Sequence, residues 1–145
     1  MAAVSDLLKK KGTDVLTVSP GSPAREAIEK MENLGVGTAV VTEGDEVVGI
    51  VSERDVLRKV VLQDKDLASV EVREIMSTGL TTVAGDTTVA KCMELITEKR
   101  IRHLPVVCGK KLCGIVSIGD LVKFLLREKD NMIKNLETYI TGSII

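Results

Sequence analysis

Two hydrophobic spacings alternate along this chain. Residues 4–11 read as a short helix stopped by Gly12, and residues 16–18 as a short strand. Ser22-Pro23 then opens a helix, with Ser22 as its cap and Pro23 in its first turn. Ala27, Ile28, Met31 and Leu34 return on it at helical spacing until Gly35 ends it. Residues 38–42 form a buried-type strand, 43–46 a hairpin turn, 47–51 the return strand and 53–62 a second helix. A polar linker, 63–71, and one helical turn, 72–76, follow. The series then runs again: strand 81–83, helix 88–98, strands 103–108 and 112–116, helix 118–128. Residues 130–145 add a further helix, with Met132, Ile133, Leu136 and Ile140 on one side.

The second series copies the first. Gly49-Ile50-Val51-Ser52-Glu53-Arg54-Asp55 returns as Gly114-Ile115-Val116-Ser117-Ile118-Gly119-Asp120, at an offset of 65 that needs no gap. The same offset carries Thr17-Val18 onto Thr82-Val83, Val41 onto Val106 and Gly44 onto Gly109. A duplication of this kind means two similar units, and two similar sites between them. The expected architecture is mixed α/β (α+β), two strand-helix-strand-strand-helix units plus a C-terminal helix. The expected divisions are 1–66, including the first helix, then 67–129, then a tail at 130–145. Each unit of about sixty residues is marginal alone, so the halves are expected to share a core.

Composition narrows the function. A net charge of −1 gives no basic face for nucleic acid or an anionic membrane, and Phe124 and Tyr139 are the whole aromatic complement. Apolar runs are strand-length, which argues against a membrane span. Cys92, Cys108 and Cys113 form no Cys-x-x-Cys, and Cys92 and Cys113 fall on apolar positions. They are expected to be buried thiols in a reducing compartment, cytoplasmic or mitochondrial matrix.

A single Ser-x-x-Asp at a helix start is a capping box. Ser52/Asp55 and Ser117/Asp120 add more: both follow a Gly-Ile-Val strand end, and both put a helix N-terminus at the mouth of a strand. That is a place for an anion. The aspartate there can accept from vicinal ribose hydroxyls while the serine donates. A second polar group, Lys99-Arg100-Ile101-Arg102-His103-Leu104-Pro105-Val106, begins as a helix end with solvated cations but carries Arg102 and His103 into a buried strand. Cations at a strand entrance can meet a phosphate. No nucleophile, metal-ligand cluster or carboxylate pair suggests catalysis.

Taken together, the element order, both Gly-Ile-Val-Ser-x-x-Asp junctions and Arg102-His103-Leu104-Pro105-Val106 resemble a tandem pair of cystathionine-β-synthase (CBS) domains, a Bateman module. Flanking motifs resemble the stand-alone bacterial and mitochondrial type. The resemblance implies a pseudo-two-fold module with two clefts for adenosine-containing ligands: AMP, ADP or ATP, with S-adenosylmethionine or NAD(H) as other candidates. It implies that cleft one combines Ser52 and Asp55 with Gly79, Leu80 and Thr81, and with Ile101, Arg102 and His103. Cleft two would combine Ser117 and Asp120 with Asp14, Val15 and Leu16, and with Val36, Gly37 and Thr38.

The two sets are unequal, because Gly37 and Thr38 stand where cleft one has Arg102 and His103, and Arg54 is matched by Gly119. Arg54 is expected beside the pseudo-axis, able to serve either phosphate. Phosphorylated ligands are expected to prefer cleft one. The reading is a non-catalytic nucleotide sensor, a homodimer that transmits ligand state to a regulated protein. The competing reading is a structural or interaction module with vestigial clefts.

Overall fold

The computed structural model describes residues 1–141; the end of the expected C-terminal helix, 142–145, lies outside the described residues. In chain order the elements are α1 (Val4–Lys11), β1 (Thr17–Val18), α2 (Ala24–Leu34), β2 (Thr38–Glu43), β3 (Glu46–Ser52) and α3 (Glu53–Lys59). Two short 3-10 turns, Val61–Gln63 and Val72–Glu74, lead to α4 (Val89–Lys99), β4 (His103–Cys108), β5 (Lys111–Ser117) and α5 (Ile118–Thr141).

One five-stranded sheet runs in the order β1-β2-β3-β5-β4. The two hairpins meet at its middle through one antiparallel pair, Glu46 with Lys111, and the Leu112 N–H donates to the Asp45 carbonyl at 3.1 Å. Outward from this seam the sheet mirrors itself. Val18 pairs in parallel with Val41, and Val83 with Val106 at the offset of 65. Thr38 lies opposite Ser52, and His103 opposite Ser117. Each hairpin has a register shift at the same place, after Val41 and after Val106.

Two hydrophobic clusters fill the two units. One gathers Val18, Ala24, Ala27, Met31, Val41, Val51, Val56 and Val60 with Val70, Val72 and Ile75. The other gathers Val83, Val89, Cys92, Ile96, Leu104, Val106, Val116, Leu121 and Phe124 with Val4, Leu7 and Leu8. The leading segments are thus exchanged: α1 seals the second unit's core, and residues 70–75 seal the first's. Backbone bonds fix the exchange. The Val4 N–H donates to Thr87 and the Val72 N–H to Ser22, each at 2.8 Å. Position along the chain had grouped α1 with the first unit; its apolar face lies in the second.

The repeated glycine of the Gly-Ile-Val-Ser signature follows from this exchange. A Cβ on Gly49 would come within 2.6 Å of the Met76 sulfur and 3.0 Å of the Ser77 carbonyl, and one on Gly114 within 3.1 Å of Leu8. The crossing segment needs bare backbone there.

Several local expectations are corrected. Pro23, not Ser22, holds the cap position of α2, and the Ser22 hydroxyl lies 2.8 Å from that of Ser19. Leu34 is exposed, while the expected Ala27 and Met31 are buried together with Ala24. The strand expected at 81–83 contracts to the Val83 bridge, because residues 79–81 leave the sheet to line a cleft. The two C-terminal helices are one, α5, since no Gly or Pro follows Gly119 of its first turn to interrupt the 24 residues.

Cys92 is a buried free thiol whose pKa is raised by burial. Cys113 is not free. The register shift leaves it without a cross-strand partner, and it forms a disulfide with Cys108, Cα atoms 5.9 Å apart.

Candidate functional clefts

Both Ser-x-x-Asp sequences close capping boxes at strand-to-helix junctions. The Asp55 N–H donates to Ser52 Oγ at 3.2 Å, and Asp55 Oδ2 accepts from the Ser52 N–H at 2.9 Å. The Asp120 N–H donates to Ser117 Oγ at 3.0 Å, and Asp120 Oδ2 accepts from the Ser117 N–H at 2.9 Å. The first N–H of each helix is also taken by the opposite strand entrance, Glu53 by the Gly37 carbonyl at 3.0 Å and Ile118 by that of Arg102 at 2.9 Å. These bonds pin each helix start to the next strand and hold each carboxylate at the lip of a cavity.

Cleft one has a volume of about 420 Å³. Ser52 and Asp55 face Gly79, Leu80, Thr81, Ile101, Arg102 and His103 across it, with Ile50, Ser77, Thr78 and Pro105 completing the wall. All eight residues expected there converge. Lys99 lines it as well, although its position at a helix end had suggested only a solvated cation. Three basic side chains therefore stand opposite one carboxylate.

Cleft two, about 380 Å³, joins Ser117 and Asp120 to Asp14, Val15, Leu16, Val36, Gly37 and Thr38, again the full expected set. Both volumes lie in the range of small-ligand pockets, about 300–1,000 Å³. His103 and Thr38 line both cavities. They are equivalent by the offset of 65 and form the partition between the clefts. Arg54 is exposed on the first turn of α3 and lines neither.

Gly37 and Thr38 bring no charge to cleft two, but Lys11, the last residue of α1, does. Its Nζ donates to Asp120 Oδ2 at 2.5 Å and to the Ile115 carbonyl at 2.6 Å, with the lysine side chain 30% exposed. No motif marks Lys11; it reaches cleft two because α1 crosses to the second unit. In cleft one the corresponding carboxylate is met from another direction. Lys59, one turn along α3, stands 3.4 Å from Asp55 Oδ1 and donates to the Ile75 carbonyl at 2.9 Å.

Charges within the clefts shift two groups. Burial opposes ionisation of Asp120, but the Lys11 ammonium and the Ser117 donors outweigh it and hold the carboxyl below its ordinary value. His103 is pushed down by burial first, then by Lys11 and Arg102, against the attraction of Asp120. The imidazole is therefore neutral near pH 7 and offers one N–H donor, not a cation. Among the described residues no group of three or more His, Cys, Asp and Glu side chains gathers where a metal could sit. None of the helices described is long and apolar enough to cross a membrane.

Comparison with known proteins agrees with this geometry. The CBS domain family model matches twice, at residues 4–62 and 72–127. A mitochondrial CBS domain-containing protein of Arabidopsis thaliana is 36% identical over 96% of this chain and 72% of its own. A signal-transduction protein with CBS domains from Burkholderia ambifaria superposes with a TM-score of 0.81 at 41% identity, over 87% of this chain and 95% of that one. A CBS domain protein of Pyrobaculum aerophilum, solved in complex with AMP, gives 0.73 at 30% identity, over 81% and 88% of the two chains. With two matched units, one mirrored sheet and two clefts at its Ser-x-x-Asp junctions, the chain belongs to the CBS domain family as a tandem pair.

Proposed function

We propose that this protein is a regulatory sensor of adenine nucleotides, AMP, ADP or ATP, with no catalysis of its own. The observation that carries the reading is cleft one. A carboxylate held by Ser52 at one lip faces Lys99, Arg102 and His103 at the other, across a cavity of about 420 Å³. Asp55 Oδ1 accepts from ribose hydroxyls, the basic group holds phosphate, and the base lies between Ile50, Leu80 and Ile101. The relative complexed with AMP supports the ligand class.

The sensor acts as a homodimer. Leu57 and Val122, equivalent by the offset of 65, are 50% and 42% exposed, and Val61 and Leu126, also equivalent, are 53% and 57% exposed. Such a paired apolar surface, on α3 and the 3-10 turn after it and on α5, suits an isologous contact between copies. A nucleotide that binds one arrangement of units better than another shifts that arrangement, and a regulated protein reads the shift.

One observation favours the vestigial reading for cleft two: Lys11 already occupies Asp120. A thermal-shift panel of AMP, ADP, ATP, NADH and S-adenosylmethionine tests the function. Stabilisation by adenine nucleotides, with ATP and magnesium surviving incubation with stoichiometric protein, is expected. No shift with any ligand contradicts it.

A further inference from the structure

Beside cleft two lies a third cavity, about 220 Å³, between the end of α1 and α5. Leu7 and Phe124 are its apolar part; Lys10, Lys11, Lys123 and Arg127 converge on it, and Asp120 is the one acid in its lining. It shares Lys11 and Asp120 with cleft two, so the two cavities meet at that ion pair.

The charges are poorly balanced. Lys10 stands 5.4 Å from the centre of the Phe124 ring and only 3.9 Å from Glu128 on the rim. Among the described residues, Lys123 and Arg127 have no carboxylate within ion-pair distance. Ordinary solvated cations diverge from one another. Four that face a common hollow with an apolar floor repel, and an anion relieves the repulsion.

The other unit supplies an internal control. Ala3 and Asp6 form the capping contact that Glu71 and Glu74 form in the other leading segment, an offset of 68. By the first strands the offset is 65. The α1 segment is therefore three residues longer, and its final turn carries Lys9, Lys10 and Lys11. At the strand offset, the partners of Lys10, Lys11 and Arg127 are Ile75, Met76 and Leu62. Only Lys123 has a basic counterpart, Arg58, so the set of four cations is particular to one unit and not a consequence of the fold.

We propose that this groove binds a chain of two or more phosphoryl groups on Lys10, Lys11, Lys123 and Arg127, and that the anion draws Lys11 off Asp120. Lys123 and Arg127 stand one helical turn apart on α5, and Lys10 and Lys11 face them from the end of α1, so the four donors are spread over two helices and suit more than one phosphoryl group. Gly12, at φ +98°, directly follows Lys11 and lets the helix end adjust. Release of Asp120 restores its acceptor capacity toward cleft two. This coupling rests on the adenosine reading above; binding in the groove does not.

The test is calorimetric titration of the full chain with inorganic tripolyphosphate, ATP and AMP. Saturable tripolyphosphate binding is expected, weakened at least about tenfold in the Lys123→Gln/Arg127→Gln double variant, whose fold is checked by circular dichroism. ATP binding as tightly as tripolyphosphate marks a free phosphate chain as the ligand. ATP binding more tightly than both tripolyphosphate and AMP, with the gain lost in the double variant, marks the tail of a nucleotide. No saturable binding at millimolar concentration, or equal affinity in the double variant, overturns the groove. For the coupling, tripolyphosphate should tighten adenosine binding in the unmutated chain and not in Lys11→Met. Unchanged adenosine affinity with the groove filled overturns the coupling alone, whereas failure of every adenosine ligand with tripolyphosphate still bound refutes the sensor reading and spares the groove.

Discussion

Lys11 Nζ and Asp120 Oδ2 are joined across the junction of α1 and α5, 109 residues apart in sequence. The bond ties the exchanged N-terminal helix to the signature carboxylate of the other unit. It leaves Asp120, the proposed ligand acceptor of cleft two, already engaged, whereas Asp55 in cleft one meets only the looser Lys59.

Loss of this pair has a pH signature. The carboxyl of Asp120 is held below its ordinary value of 3.8, so its contribution to stability is present above that pH and is lost as pH falls through the lower folded value. Lys11→Met should cost about 1 kcal/mol at pH 7 in urea titration, modest because both side chains are partly exposed. The deficit should shrink as pH falls below 3.8. A deficit independent of pH would show that packing of the lysine stem, not its charge, matters.

His103 gives a second test, of the partition, in a higher pH window. Its folded pKa lies below the ordinary 6.5, so the unfolded chain binds the proton more readily. Stability from the neutral imidazole is present above 6.5 and is lost as pH falls below it through the folded value. His103→Gln should flatten the stability profile below pH 6.5. An equally steep profile in the variant would place the titration elsewhere.

Much of this was legible in the sequence. The offset of 65 located the helices, the hairpins and both Ser-x-x-Asp junctions, because short-range periodicity and repeated polar signatures report local structure, while the resemblance to the CBS family supplied the rest of the sixteen cleft-lining residues. What escaped was contact between distant segments. Nothing near Val4 or Lys11 says that α1 crosses to the second unit, and nothing in Gly49 or Gly114 says which chain passes over it. Cys113 looked buried because periodicity ignores the register shift that turns it to Cys108. Arg54 looked central for the converse reason: proximity in sequence to Asp55 does not bring a helical residue round to the cleft face.

The paired apolar surface predicts association. Leu57→Glu or Leu126→Glu puts a charge into the proposed contact, where the unmutated residues are 50% and 57% exposed in the single chain. Light scattering should report a dimer for the unmutated chain and a monomer for either variant, with circular dichroism unchanged. A monomeric unmutated chain contradicts the homodimer.

Arg100 ends α4 in the left-handed conformation, φ 53°, where Gly35 ends α2 at φ 66°. A side chain there costs about 1–2 kcal/mol, and the extra freedom of an unfolded glycine offsets about 0.4–1 kcal/mol of that. Arg100→Gly should therefore stabilise by about 0.5–1 kcal/mol in denaturant titration. A loss of stability would assign Arg100 a contact that outweighs the backbone.

The central claim is that cleft one reads a nucleotide through Asp55. Isothermal titration with AMP tests it most directly, comparing the unmutated chain with Asp55→Ala. The account predicts saturable binding to the unmutated chain and its loss at cleft one in the variant, while the variant stays folded and loses only about 1 kcal/mol of stability with the cap. AMP binding at undiminished affinity in Asp55→Ala, or no binding to the unmutated chain, contradicts it.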